Sequence, residues 1–88
     1  MENLIPLHRL SLGSFGKVRK LTAQGNNRRR LLDLGLIHDT VVKVLRKSPL
    51  GDPVAYEIRG AVIAFRSEEA SKILVELVDP DKVGGNLK

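Results

Sequence analysis

The chain has 88 residues, 42% of them hydrophobic and only 3% aromatic, with a formal net charge of +5. That length suits a single small domain, and the apolar fraction excludes an extended disordered chain. The absence of cysteine excludes a disulfide framework, a thiolate metal site and a cysteine nucleophile together.

Leu4, Ile5, Leu7 and Leu10 open the chain as a segment expected to cover one end of the fold, with Pro6 tolerated because an edge segment demands no central-strand N–H. The first strand is predicted over residues 17–21, entered through Gly13-Ser14-Phe15-Gly16, whose glycines permit turn dihedrals. Residues 28–35 predict a short helix, with Asn26 or Asn27 as N-cap and Gly35 in the left-handed position that ends it. Leu31 and Leu34 share one face of it, with Leu32 and Leu36 beside them. Two turns are marginal in water alone, so these leucines must pack on the rest of the domain.

A valine-rich strand is predicted over about residues 40–48, followed by the turn Pro49-Leu50-Gly51-Asp52-Pro53. Val54, Tyr56 and Ile58 then alternate with Ala55, Glu57 and Arg59, the clearest period-two pattern in the chain. Gly60 makes a tight hairpin to a strand over 61–66. Ser67 is a candidate N-cap for one helical turn, and Glu68 and Glu69 suit its positive end. A last strand over 73–78 would close a barrel. The reading is mainly β: a small SH3-like barrel of about five strands with one short helix and one helical turn, spanning residues 1–78. An OB-type barrel is the structural alternative, and residues 79–88, with Pro80, Gly84 and Gly85, read as a flexible tail.

The series 30–36 (Arg-Leu-Leu-Asp-Leu-Gly-Leu), the valine strand from Val41 to Leu45, the turn 49–53, Arg59-Gly60 and Phe65-Arg66 closely resembles FeoA, in order and spacing from about Leu10 to Leu77. The resemblance implies an SH3-like cytoplasmic accessory protein of bacterial ferrous iron transport. Its implied partner is FeoB, a membrane permease with a cytoplasmic GTP-binding portion, which it would regulate or stabilise. The same module occurs as the C-terminal domain of iron-dependent repressors. Here the chain starts a few residues before the barrel, with no winged-helix segment or metal-ligand set, so a free-standing module is expected.

The candidate partner-binding residues are Arg28, Arg29, Arg30, Leu32, Leu34, Leu36, Leu50 and Asp52. Leu50 would be an apolar anchor at the tip of a rigid turn, or the turn merely joins two strands. The three arginines could meet an acidic face or phosphate, or simply form the solvated side of a helix. The leucines could line a groove between helix and barrel, though leucines at helical spacing more often form core. Basic residues concentrate in 1–47, with ten Lys or Arg against three acids, whereas 48–88 carries five against seven.

That imbalance motivates a second reading, a nucleic-acid-binding basic barrel. With only Phe15, Tyr56 and Phe65, a base-stacking platform is poorly supplied, as is the aromatic groove of a proline-peptide-binding SH3 domain. His8 and His38, thirty residues apart, do not supply a metal site. No cofactor is indicated. Gly13-Ser14-Phe15-Gly16-Lys17 lacks phosphate-loop spacing, and no nucleophile or paired acid and base emerges, so an enzyme is not expected. No apolar run approaches the ~20 residues of a membrane span, and the first residues lack a secretion signal. A cytoplasmic location follows as the expectation. Exposed strand edges leave a homo-oligomer open.

Overall fold

Alternation decides which way each strand faces. In the computed structural model, which describes residues 3–79, the strand Val54–Ile58 (β4) buries Val54, Tyr56 and Ile58 and turns Ala55 and Glu57 away from the core. Val41–Lys47 (β3) does the same with Val42 and Val44, and Phe15–Leu21 (β2) with Val18 and Leu21. Between Val18 and Lys20 the register against the last strand slips, so Arg19 bulges out and Leu21 falls inside where strict alternation would have placed Lys20.

Three further strands complete one antiparallel sheet: Leu4–Pro6 (β1), Ala61–Phe65 (β5) and Ile73–Val78 (β6). The order is β1-β6-β2-β3-β4-β5. Two differences from the sequence reading follow. The opening segment is itself a strand, paired as Leu4↔Glu76, Ile5↔Val75 and Pro6↔Leu74, so there are six strands, not five. And β6 does not close the barrel: it lies inside the sheet between β1 and β2, and no pairing joins β1 to β5 among the described residues. The barrel is open along that seam. Its interior is a single cluster in which Tyr56 and Phe65, with ring centroids 6.0 Å apart, are set among aliphatic side chains. After β1, Leu7–Arg9 forms a 3-10 turn that buries Leu7.

The helix Gly25–Asp33 (α1) begins earlier than its sequence suggests. Its N-cap position is Gln24 and carries no side-chain cap, while Asn26 and Asn27 lie within the helix. Its end follows the expected chemistry closely. Gly35 has φ +101°, its N–H donates to Leu32 O at 3.0 Å, and the Leu36 N–H donates to Leu31 O at 3.1 Å. This is a Schellman closure, with Leu31 and Leu36 buried together beneath it.

The one-turn helix Ser67–Ala70 (α2) has Arg66, not Ser67, at its N-cap position. The Ser67 N–H and hydroxyl donate instead to Asp52 Oδ1, at 2.8 and 3.1 Å, from fifteen residues upstream. Of the proposed tail only Asp79 lies within the described residues; 80–88 fall outside them.

Gly16 also departs from expectation. Gly13 takes the left-handed turn (φ +81°), but Gly16 sits inside β2, and a Cβ there would lie 2.8 Å from side-chain carbons of both Leu10 and Val75. The residue is glycine for lack of space. Gly16→Ala should therefore lower unfolding free energy by about 1–3 kcal/mol, read from urea denaturation, by forcing two well-packed side chains aside. A variant as stable as the parent would contradict that packing.

Candidate functional site

The turn after β3 is built to hold its tip outward. The Gly51 N–H donates to Ser48 O at 2.8 Å, the Ser48 N–H to Pro53 O at 3.1 Å, and the Asp52–Pro53 peptide is cis. Asp52 then ties the base of the turn to the first residue of α2. Above this framework Leu50 is 95% exposed, the most exposed of the large hydrophobic side chains in the described residues. Asp52 thus has an internal task, positioning the turn, while Leu50 has none.

The arginine run divides three ways, because successive helical residues are rotated by about 100°. Arg28 Nη1 donates to Leu21 O at 3.2 Å, pinning the helix to the end of β2. Arg30 pairs with Glu69 of α2, and its guanidinium lies 5.9 Å from the centroid of Phe65. Arg29 is exposed and has no partner among the described residues. One arginine of the three is therefore unengaged.

The leucines divide as well. Leu36 is fully buried, Leu34 packs half-buried against the core, and Leu32 is 38% exposed. Leu32 and Leu36 line a groove of about 380 Å³ between α1 and β2, together with Val18, Leu21 and Ile37, with Lys20, Arg28 and His38 at its rim. Leu34 does not reach it. Ile37, which the sequence reading did not single out, is 45% exposed. Its only sequence signal was its place just after the helix-ending Gly35, where an apolar residue leaves the helix without yet entering a strand.

A polar network with no local signature in the sequence lies beside this groove. Arg19, on the outer face of β2 at the bulge, bonds Asp39 Oδ1 at 2.8 Å and Glu76 Oε1 at 2.9 Å. Asp39 has φ +75° and its N–H donates to Val18 O at 2.8 Å, which holds residues 37–40 against β2. His38 Nδ1 lies 3.3 Å from Asp39 Oδ1. Among the described residues no three His, Cys, Asp or Glu side chains gather as a metal-ion cluster. Two of the three aromatic rings, Tyr56 and Phe65, are buried, and half-buried Phe15 lies under Lys43, 5.5 Å from ring centroid to ammonium. That leaves little for a nucleobase to stack on.

The family model described as the FeoA domain matches residues 5–77. The chain belongs to the FeoA family. Over 72 residues it is 35% identical to the Fe(2+) transport protein A/Fe(2+) transporter FeoB fusion protein of Porphyromonas gingivalis, an alignment covering 82% of this chain and 8% of that one. The chain thus spans a small part of that curated relative. The solution structure of FeoA from Chlorobium tepidum superposes with a TM-score of 0.80 at 37% identity, over 85% of this chain and 71% of that one. The zinc-complexed crystal structure of Stenotrophomonas maltophilia FeoA, described as a procaryotic SH3 domain protein, gives 0.71 at 27% identity, over 80% and 87%. The SH3-like architecture and the link of this family to ferrous iron transport are thereby fixed. No helix in the described residues is long and apolar enough to cross a membrane.

The environment of Asp52 has a measurable consequence. Tyr56 is 1% exposed, and burial, with the Asp52 carboxylate adding to it, pushes its phenol up to about 12. The folded state then holds its proton more tightly than the unfolded chain. The resulting stability is present below pH ~10 and is lost as pH rises toward 12, on the order of 2–3 kcal/mol in all. Tyr56 is the only tyrosine and there is no tryptophan, so absorbance at 295 nm reads it alone. Its midpoint should lie near 12 and fall in Asp52→Ala, which should also cost about 1–3 kcal/mol through the lost bonds to Ser67. A midpoint near 10 in the folded chain would contradict this burial.

Proposed function

We propose that this chain is a cytoplasmic accessory module of bacterial ferrous iron uptake that binds the cytoplasmic GTP-binding portion of a FeoB-type transporter and regulates or stabilises it by contact, without catalysis of its own. The observation that carries the reading is the relative in which an Fe(2+) transport protein A segment and FeoB are one polypeptide. Covalent linkage keeps two partners at high effective concentration, and it is useful when they work in contact.

The surface supports the same reading. An apolar side chain that is 95% exposed on a braced turn is poorly placed for stability and well placed as an anchor. Arg29, Lys20 and the basic first half of the chain suit an acidic face on the partner. Arg28 and Arg30 contribute through the helix they brace, which turns the unengaged Arg29 and the half-open Leu32 toward solvent.

Capture of the transporter's cytoplasmic portion by immobilised chain is the direct test. Leu50→Asp should weaken capture at least tenfold, and Arg29→Glu about threefold with a reduced salt dependence. Neither should alter thermal unfolding by more than a few degrees, since neither side chain supports the fold. If both variants stay folded and capture as well as the parent, this surface is not the one used.

A further inference from the structure

The two edges of the sheet are treated differently. At one side β1 has three residues and ends in Pro6, the short and proline-blunted form in which natural edges resist pairing. At the other side β5 has five residues, Ala-Val-Ile-Ala-Phe, with no charge, no proline and no slip in its register with β4. Val62 is 57% exposed, and Ala61 and Ala64 are exposed beside it. Nothing in this strand discourages another strand from pairing.

The hairpin geometry says which backbone groups are open. Arg59 and Gly60 form a two-residue turn with φ +53° and +86°, the type I′ pattern, so the flanking pair Ile58↔Ala61 is hydrogen-bonded. Alternation then directs the N–H and C=O of Ala61, Ile63 and Phe65 toward β4, and those of Val62 and Ala64 outward. Among the described residues no turn, loop or side-chain hydrogen bond occupies the outward groups of Val62 or Ala64.

Charge selects the occupant. Arg59 precedes this strand across the turn and Arg66 follows it directly, both exposed. An antiparallel second copy centred on Ile63 would set Arg66 opposite the other copy's Gly60 and beside its Arg59, at both ends. Like charges placed so oppose pairing. An extended segment with an uncharged centre and an acidic residue at each end meets the same edge with opposite charges instead.

We propose that β5 is a strand-addition site, which takes an extended, acid-flanked segment of the partner protein through the backbone of Val62 and Ala64. This rests on the partner-binding reading above and names the form of the segment bound. Main-chain bonds supply the affinity, and the arginines at the two ends supply the choice of sequence.

The test uses the isotope-labelled full chain and two synthetic peptides, each with five alternating valine and threonine residues flanked by either aspartates or lysines. At saturation the aspartate peptide should slow amide exchange of Val62 and Ala64 at least tenfold, leaving Ala61, Ile63 and Phe65 little changed because β4 already protects them. The lysine peptide should bind at least tenfold more weakly, and the Arg59→Glu, Arg66→Glu double variant should reverse that preference. Val62→Pro removes an outward N–H without touching the β4 ladder and should abolish binding.

Uniform or absent protection, indifference to the peptide charges, or protection that grows with chain concentration without peptide would overturn the proposal, the last by showing a second copy on the edge. The transporter's cytoplasmic portion separates the two readings. If it captures the parent chain and Val62→Pro alike, the edge is not used while the partner reading stands. If it does not capture the parent chain, the partner reading falls and the peptides alone decide the edge.

Discussion

The structure depends on one constraint: sixteen hydrophobic residues must share a single interior made by an open, six-stranded sheet. None of the described buried residues is charged or carries a polar side chain other than the tyrosine hydroxyl. From β2 to β6 each strand therefore turns Leu, Val, Ile, Tyr or Phe inward, with Gly16 of β2 fitted among them, and points its alternate residues away from the core. α1 and α2 are held to this interior by a single buried residue each, Leu31 and Ala70, and by polar staples at their rims. Arg28 to Leu21, Arg30 to Glu69, and Asp52 to Ser67 are such staples. With the interior so occupied, what distinguishes this chain lies on its surface: a braced apolar tip, a groove beside α1 and a bare strand edge.

Much of this was legible in the residues. The alternation of 54–58 fixed β4 and its inward face, and Gly60 after Arg59 marked the hairpin that sets the register of β5. Gly35 stood where only a left-handed residue closes a helix above a buried leucine pair. What escaped was set by distant partners. Leu4–Pro6 becomes a strand because β6 offers it an edge, and three residues containing a proline carry no period of their own. Gly16 looks like a turn glycine until Leu10 and Val75 are seen to close over it. Ser67 suggested an N-cap, but the acceptor that serves this helix start is Asp52, on another turn, which no local pattern could indicate.

The same distinction runs through the candidate site. Helical rotation alone separates Arg28, Arg29 and Arg30 onto different sides, so a three-arginine patch was never available to one partner surface. Which of them would be engaged was not legible, because the partners Leu21 and Glu69 come from elements before and after the helix. The leucines show the converse. Leu36 reads like Leu32 in sequence, yet the Schellman closure swings it fully inside and leaves Ile37 to take the outer position. Two bulges, at Arg19 and near Leu45, shifted side chains between faces without any glycine or proline to announce them.

On the reading proposed above, exposed apolar and basic groups on this open barrel meet a FeoB-type partner. Methyl chemical shifts of the intact labelled chain, followed while the transporter's cytoplasmic portion is added, report that contact. Large shifts are expected at Leu50, Leu32, Ile37 and Val62, with the methyls of the buried Leu7, Val42 and Ile73 unchanged. A titration that moves none of the exposed methyls, or that moves the buried ones first, would contradict that reading.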